Sequence, residues 1–585
     1  MRHRVIENSH TAEPRHSTLA NNDWTGREVI LVTLASLVFG FVFSYPILSR
    51  LRNSAVIWDW DFIEVLAWVP WKTVVTFHQF PIWNPYLCGG IPLLGDPQSS
   101  YLTPFFLIHL IFGPIIGLHL EIPLHVAVGW AGGYVLARVL RLGTFGAVTC
   151  ATIFPASSWF YLHAAAGHHI FFTSTYWPWV LAFTLIAIER RRVFWATLPA
   201  LVIVLIFFEG APYQVSYMIL ILGAVLVPSA VIRRDPWPLI ILVANLGFTY
   251  GLAAIKIFPA SALLGQHLRP GYTPEHVVVS DVLQALFDRY QDINHRGIAD
   301  WAFFEGGAYL SPLFVLLVVA GAIWRARETW PWILAALIFL SLAMGIFAPW
   351  APFALLRHLP IYSSERVAIR MLVPFILCSG VIAAYGVDYF AQRSLLTIAL
   401  VGTLLLLGTI DSFMMGPHNL AYITTYGETP IEPSKDFRQF RNPIDTEFTQ
   451  RTLRFNQANI GMLYCYEFAE IPTNAIGYNQ PDYLGEQHLM APGDLKLLDW
   501  RPNTLTFEVN TEVPNTILVN QNIDEGWRLV RGKGELMSYD GLLAIALPAG
   551  HQEIKVRNIG DGVIDGIVLT IATTVLALLL WHNDW

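Results

Sequence analysis

Residues 57–105 read IWDWDFIEVLAWVPWKTVVTFHQFPIWNPYLCGGIPLLGDPQSSYLTPF. Asp59 and Asp61 stand two apart among Trp58, Trp60, Trp68 and Trp71. The Pro/Gly-rich tract that follows is too broken for a helix and too polar for a bilayer core. On either side lie apolar runs, near 28–48 and near 121–140. The stretch therefore reads as part of a large loop, residues 49–120, at the mouth of a membrane domain, with its tryptophans at the water–lipid interface.

The rest of the chain extends that reading. Its 585 residues are 54% hydrophobic and 14% charged, where a soluble protein carries about a quarter charged residues. Further apolar runs fall near 144–162, 170–188, 193–208, 213–231, 238–258, 309–324, 331–347, 369–390, 395–412 and 562–581. They predict a polytopic α-helical membrane protein with about twelve transmembrane helices. The stretch 102–118 is apolar too, but Pro104, Gly113 and Pro114 interrupt it, and it reads as re-entrant or interfacial. A net charge of −7 gives no basic footprint for nucleic acid. The first 27 residues are polar and lack a signal-peptide core, so the first span is expected to stay as an anchor. The four cysteines show no metal spacing. Cys150 and Cys378 lie in apolar spans, while Cys88 and Cys465 could both face outside and pair.

Arginine clusters orient the spans. Arg138 and Arg141, Arg190 to Arg192, Arg233 and Arg234, Arg325 and Arg327, and Arg393 each follow an even-numbered span. The positive-inside rule puts them and the N-terminus in the cytoplasm. Arg50, Arg52, Arg366 and Arg370 run against the rule. With this topology the outer side receives the loop 49–120, the Gly167-His168-His169 turn, Glu209, the loop 259–308, the segment 348–368 and the region 413–561. The organisation expected is a membrane domain 1–412, an outward-facing β-rich domain 413–561, and a last span with its tail, 562–585. Within 413–561, strand candidates at 503–509, 515–521, 527–531, 542–547 and 551–557 alternate apolar and polar residues between turns, as in a small antiparallel β-sandwich.

The candidates for chemistry all fall on the outer side. In an extended segment Asp59 and Asp61 would point the same way and could share a divalent cation (Mg or Mn) or a polar substrate. Alternatively, Asp61 with Glu64 resembles a capping box opening a helix 62–79. His168 and His169 close the third span and read as substrate-binding or as hydrogen-bonded structural residues. Glu209, at the outer end of the fifth span, is a site candidate because an ionisable group there is costly unless paired or solvated. Arg366 and Arg370, one helical turn apart, would share a face and bind phosphate, lipid headgroups or Glu365. Lys256 is a second phosphate candidate or a snorkelling lysine. Trp83 and Asn84 join the substrate-binding set from the Pro/Gly tract. The loop 259–308, with Gln266, His267, Arg269, Asp281, Asp288, Arg289 and Asp292, is long enough for a lid.

Asp59-Trp60-Asp61 followed by QFPIWNPYLCGGIPLLGDPQS resembles the first outer loop of the YfhO-like bacterial membrane proteins, within the wider GT-C glycosyltransferase superfamily. The likeness continues at Gly167-His168, Tyr176-Trp177-Pro178, EGAPYQ (209–214), the arginines 366 and 370, and Glu525-Gly526-Trp527-Arg528. Where the family tends to have Gly-His-Pro-Gln, this chain has Gly210-Ala211-Pro212-Tyr213. The resemblance implies a multi-pass protein of the bacterial cytoplasmic membrane with its active face outward. It further implies transfer of a sugar from a polyprenyl-phosphate donor to a glycan, lipid or protein acceptor, with an acid of the first outer loop as catalytic base. Two other classes stay open. One is a transporter or flippase of a lipid-linked saccharide, against which ionisable residues avoid the middles of the spans and no inverted repeat shows. The other is a non-catalytic envelope assembly protein, which would tolerate loss of both aspartates.

Overall fold

The computed structural model describes residues 25–53, 59–267, 277–294, 296–298, 301–359, 361–421, 431–442, 452–463 and 471–583. Trp58, Arg269 and Cys465 lie outside the described residues, and so therefore does the Cys88–Cys465 pairing. Cys88 itself is disulfide-bonded, while Cys150 and Cys378 are free and buried.

A helix lies at each of the expected spans, but not every one is a full crossing by length and composition. Among the described residues eight helices are long and apolar enough: Gly26–Phe43, Pro114–Val139, Thr144–Ala166, His169–Arg190, Pro212–Arg233, Ala368–Ala391, Leu395–Ala421 and Val563–His582. Trp237–Leu252 and Ala254–Gln266 add a ninth if the two halves, bent by 76°, are one span. Val193–Phe208 and Pro312–Trp324 are apolar but shorter. Ala326–Ala343 carries Glu328 in its first turn. The bend at Ala253 leaves backbone groups that lipid cannot satisfy. Thr570 on the last helix supplies them: its Oγ1 accepts from Ile255 N at 3.1 Å and donates to Leu252 O at 3.4 Å.

The stretch 102–118 is not a crossing. Its helix, Phe106–Phe112, has seven residues, roughly 10 Å at 1.5 Å per residue, a third of a bilayer core. Gly113 breaks it at φ 85°, and Pro114 starts the next helix at a position where proline costs no hydrogen bond. The span expected near 121 therefore begins at Pro114.

The arginine clusters gather at one end of the bundle. Arg138 meets Glu28 at 3.4 Å, Arg141 meets Glu189 at 2.9 Å, and Arg191 meets Asp235 at 2.5 Å. Gly143 N donates to Asp388 at 2.7 Å in the same layer. At the other end lie the loop 49–120 and the β-region.

That region contains two four-stranded sheets packed around one apolar core. The five expected strands are present as Thr504–Thr511, Asn515–Asn522, Trp527–Arg531, Leu542–Leu547 and Gly550–Asn558. Gln487–Leu489, Asp494–Arg501 and Glu535–Tyr539 complete the sheets; they are mostly half-buried or exposed, so their alternation is weak. The loop 49–120 enters this core. Trp83 packs among Phe507, Ile545 and Trp527. Asn522 donates through its backbone to Gly89 O at 2.7 Å, and through Nδ2 to Cys88 O at 2.8 Å and Gly90 O at 3.0 Å.

Glu486 holds the segment 438–440 to the sandwich. It accepts from Gln439 N at 2.7 Å, Tyr483 Oη at 2.8 Å and Asn520 Nδ2 at 3.3 Å. Burial pushes its carboxyl up to about 7 despite these donors. A carboxyl that holds its proton more tightly folded than unfolded stabilises the fold at low pH and loses that contribution as pH rises through the folded value. Glu486→Gln should therefore flatten the fall in β-domain stability between pH 4.5 and about 7. Amide exchange along Asn515–Asn522 reads it, and a variant with the wild-type pH profile would assign the dependence elsewhere.

Candidate functional site

Asp59 occupies the residue before the helix Trp60–Val75, and its side chain makes no capping hydrogen bond there. Its Oδ2 instead lies 3.3 Å from His168 Nε2. His168 Nδ1 is 2.8 Å from His163 Nδ1. With a neutral His168 donating to Asp59 through Nε2, Nδ1 must accept, so His163 donates through its own Nδ1. A line Asp59–His168–His163 results, with each ring's orientation fixed by the next. Asp59 is its exposed end, with 29% of its side chain accessible against 9% for His168.

Backbone packing positions this line. Asp59 N donates to Ala166 O at 3.0 Å, and Trp60 Nε1 donates to Ala164 O at 2.9 Å. Gly167 makes the close approach workable. It sits at φ +78°, and a Cβ there would lie 2.5 Å from Trp60 N, so both conformation and space require glycine. The helix Ser158–Ala166 ends at this residue in the left-handed conformation, which turns the chain so that His168 faces Asp59.

Asp61 does something else. The helix begins at Trp60 rather than 62, so Asp59 and Asp61 are not on an extended strand. Side chains two apart on a helix diverge by roughly 200°. Asp61 is 3% exposed, and its two oxygens accept from Thr452 N at 2.8 Å and Leu453 N at 3.0 Å. It caps the helix Thr452–Gln457 from across the fold, not its own helix. Its carboxylate, turned to Thr452 and Leu453, does not fit a divalent ion shared with Asp59; a group of three residues that could hold a metal is Glu121, His125 and His169.

The two arginines separate as well. Arg366 precedes the 3-10 turn Ala368–Met371, and the helix starts at Leu372, so the pair does not share a helical face. Arg366 is half-buried, its guanidinium 5.2 Å from the Trp301 ring. Arg370 is buried against Glu305, with Nε at 3.0 Å and a second contact through Nη2. Burial pushes Glu305 up, but Arg370 first, then His168 and last Arg366, outweigh it and hold the carboxyl below its ordinary range. Arg370 covers the Phe171 ring at 4.7 Å, Phe171 stacks on His163 at 4.5 Å, and Phe304 meets His168 edge-on at 5.3 Å. The ion pair thus closes one side of the Asp59–His168–His163 line.

The remaining candidates sort into supports and a second cluster. Trp83 donates through Nε1 to Gln521 at 3.1 Å inside the sandwich core, and Asn84 Oδ1 accepts from Tyr86 N at 2.9 Å. Both are buried and fix the loop rather than face a substrate. Lys256 does not snorkel. It is fully buried and its Nζ donates to Ser99 O at 2.5 Å and to Pro97 O and Phe207 O at 3.2 Å, which ties the loop to the bundle. Gly210 tightens the same joint at φ +79°, where a Cβ would lie 2.3 Å from Gln98 O. The two adjacent histidines part company: His168 turns to Asp59, and His169 turns to Glu121. Glu209 joins the His169 side through His125 at 3.3 Å.

His163, Glu305, His109, Glu121 and His125 were not singled out in the sequence. Glu121 and His125 carried a readable signal: two ionisable residues four apart in an apolar run share a helical face. Glu305 carried none, because only the fold brings it to Arg370; His163 lies five residues before His168, at the same end of the third span.

The loop 259–308 also takes on structure, with a helix at Val279–Phe287, Arg289 on Asp411 at 2.5 Å and Asp292 on His418 at 2.6 Å. Away from Asp59, a cleft of 720 Å³ opens between the helix Trp60–Val75 and the sandwich, lined by Lys72, Phe437, Glu486 and Trp500 among others.

No family model matches the chain, and no curated protein does. Among solved structures, two of arabinofuranosyltransferase AftD from Mycobacteria, classes of one mutant, are similar to it. One is 16% identical with TM-score 0.39, covering 68% of this chain and 28% of that chain. The other is 14% identical with TM-score 0.44, covering 90% and 42%. This chain spans less than half the length of either, and at such TM-scores the likeness decides neither fold nor activity.

Proposed function

We propose that this multi-pass membrane protein is a GT-C-type glycosyltransferase that moves a sugar from a polyprenyl-phosphate donor to an acceptor hydroxyl at the end of the bundle facing the β-domain, with Asp59 as general base. The observation that carries the reading is the Asp59–His168–His163 line: a partly exposed carboxylate held by an oriented imidazole, bordered on one side by the Arg370–Glu305 pair, beside apolar spans that can bed a prenyl chain. The resemblance of the 59–99 stretch to the first outer loop of YfhO-like proteins supports it, and the arginine-rich opposite end, by the positive-inside rule, supports an outward-facing site.

In the reaction Asp59 takes the proton of the acceptor hydroxyl as its oxygen attacks the anomeric carbon. The bond from that carbon to the phosphate oxygen breaks, and the electron pair leaves on the lipid phosphate. His168 keeps Asp59 aimed. We assign the departing phosphate to Arg366, the more exposed of the two guanidiniums: it is half-buried, whereas Arg370 is buried against Glu305.

Polyprenyl monophosphate added to the purified protein in nanodiscs should raise its thermal stability, because a ligand of the folded state stabilises it, while the matching polyprenol should not. Arg366→Lys should weaken the response, since an ammonium cannot reproduce the bidentate fork. Equal stabilisation by alcohol and phosphate would remove the donor assignment.

A further inference from the structure

We propose that Glu121, His125, His169 and Glu209 hold a divalent metal ion of the zinc class, at a site separate from Asp59. Glu121 and His125 share a face of Pro114–Val139. His169 opens the turn leading into Trp177–Arg190, and Glu209 ends Thr197–Phe208. Ligand atoms of Glu121, His125 and His169 all lie within 4.8 Å of one another. His169 Nε2 touches Glu121 Oε2, and His125 Nε2 is 3.3 Å from Glu209 Oε2. All four residues are buried.

Three of the four are held from behind. Glu121 Oε1 pairs with His109 Nε2 at 2.6 Å, His125 Nδ1 faces Thr175 Oγ1 at 3.4 Å, and Glu209 Oε1 accepts from Tyr176 Oη at 2.8 Å. The inward atoms are then Glu121 Oε2, His125 Nε2, His169 Nε2 and Glu209 Oε2, and the last is buried with no hydrogen bond. Outer partners that fix the far atom of each ligand are the usual support of a metal site. Two buried carboxylates also call for positive charge. Lys256, the ammonium facing Glu209, faces Asp96 more strongly, so its charge is already matched. A divalent ion with two carboxylates and two neutral imidazoles is charge-balanced. Two nitrogens and two oxygens suit zinc better than magnesium or calcium, which take oxygen shells.

Four protein ligands leave no open position, so the ion clamps three helical elements. It also fixes the turn that presents His168, the residue before His169, to Asp59. The ion itself takes no part in proton transfer.

The test is metal content of the full-length protein, purified without chelator, incubated with zinc and desalted. Elemental analysis should find about one zinc per chain, lost in His125→Ala and in His169→Ala but retained in His551→Ala, an exposed histidine of the β-domain. Because the first two variants can misfold, the wild type alone is also decisive. Cobalt loading should give the intense visible bands of a four-coordinate nitrogen/oxygen site, displaced by zinc. A wild type that retains no stoichiometric metal, or a His125→Ala/His169→Ala variant that retains all of it, overturns the proposal and leaves a metal-free hydrogen-bonded cluster.

Discussion

Asp59→Asn should lower sugar transfer by about 10²–10⁴-fold, the contribution of a positioned base, without unfolding the protein. The substitution keeps the shape of the side chain beside His168 and removes its negative charge and with it the capacity to take a proton. Asp59 makes no capping hydrogen bond to its helix, so loss of its charge costs the helix start only the dipole interaction, about 0.3–1 kcal/mol. Asp61→Asn should act differently. It weakens the acceptors for Thr452 N and Leu453 N and should lower stability more than the rate per folded molecule. The two variants, compared by rate and by melting in detergent, separate the roles. Near-normal transfer by folded Asp59→Asn would reject the base assignment.

Arg370→Met should destabilise the fold by about 3–5 kcal/mol, the cost of stranding one member of a buried ion pair. Glu305 would be the stranded charge: it is 3% exposed, and Arg370 5%. Replacing both, as Glu305→Gln with Arg370→Met, should restore a large part of the loss, because no uncompensated charge is left. Thermal melting of the three variants reads the cycle. If Arg370→Met melts like the wild type yet fails to bind polyprenyl phosphate, Arg370 is a phosphate ligand and its pairing with Glu305 is incidental.

The sequence made the architecture legible where a pattern was local. Apolar run lengths placed the helices, alternation placed the five core strands, and Pro104, Gly113 and Pro114 identified the piece that does not cross. The site was legible only in part. Asp59, His168 and His169 could be singled out as polar residues beside apolar spans, but the direction each side chain takes depends on distant partners. Asp61 looked like a ligand or a cap for its own helix. It caps a helix nearly four hundred residues later in the chain, which no local pattern encodes. The arginines 366 and 370 looked like a helical pair because a 3-10 turn before Leu372 leaves no mark on spacing. Trp83 and Asn84 looked like binding residues because an aromatic in a Gly/Pro loop serves a sugar or a core equally well, and here the sandwich claims it.

The most direct test of the central claim is the composition of the polyprenyl-phosphate lipids and envelope glycans in cells whose only copy of this protein is wild type or Asp59→Asn, with both proteins inserted at equal levels. The account predicts that the variant accumulates a sugar-loaded polyprenyl phosphate and lacks one sugar on an envelope glycan, lipid or protein. Identical lipid-linked sugars and identical envelope glycans in the two strains would contradict it.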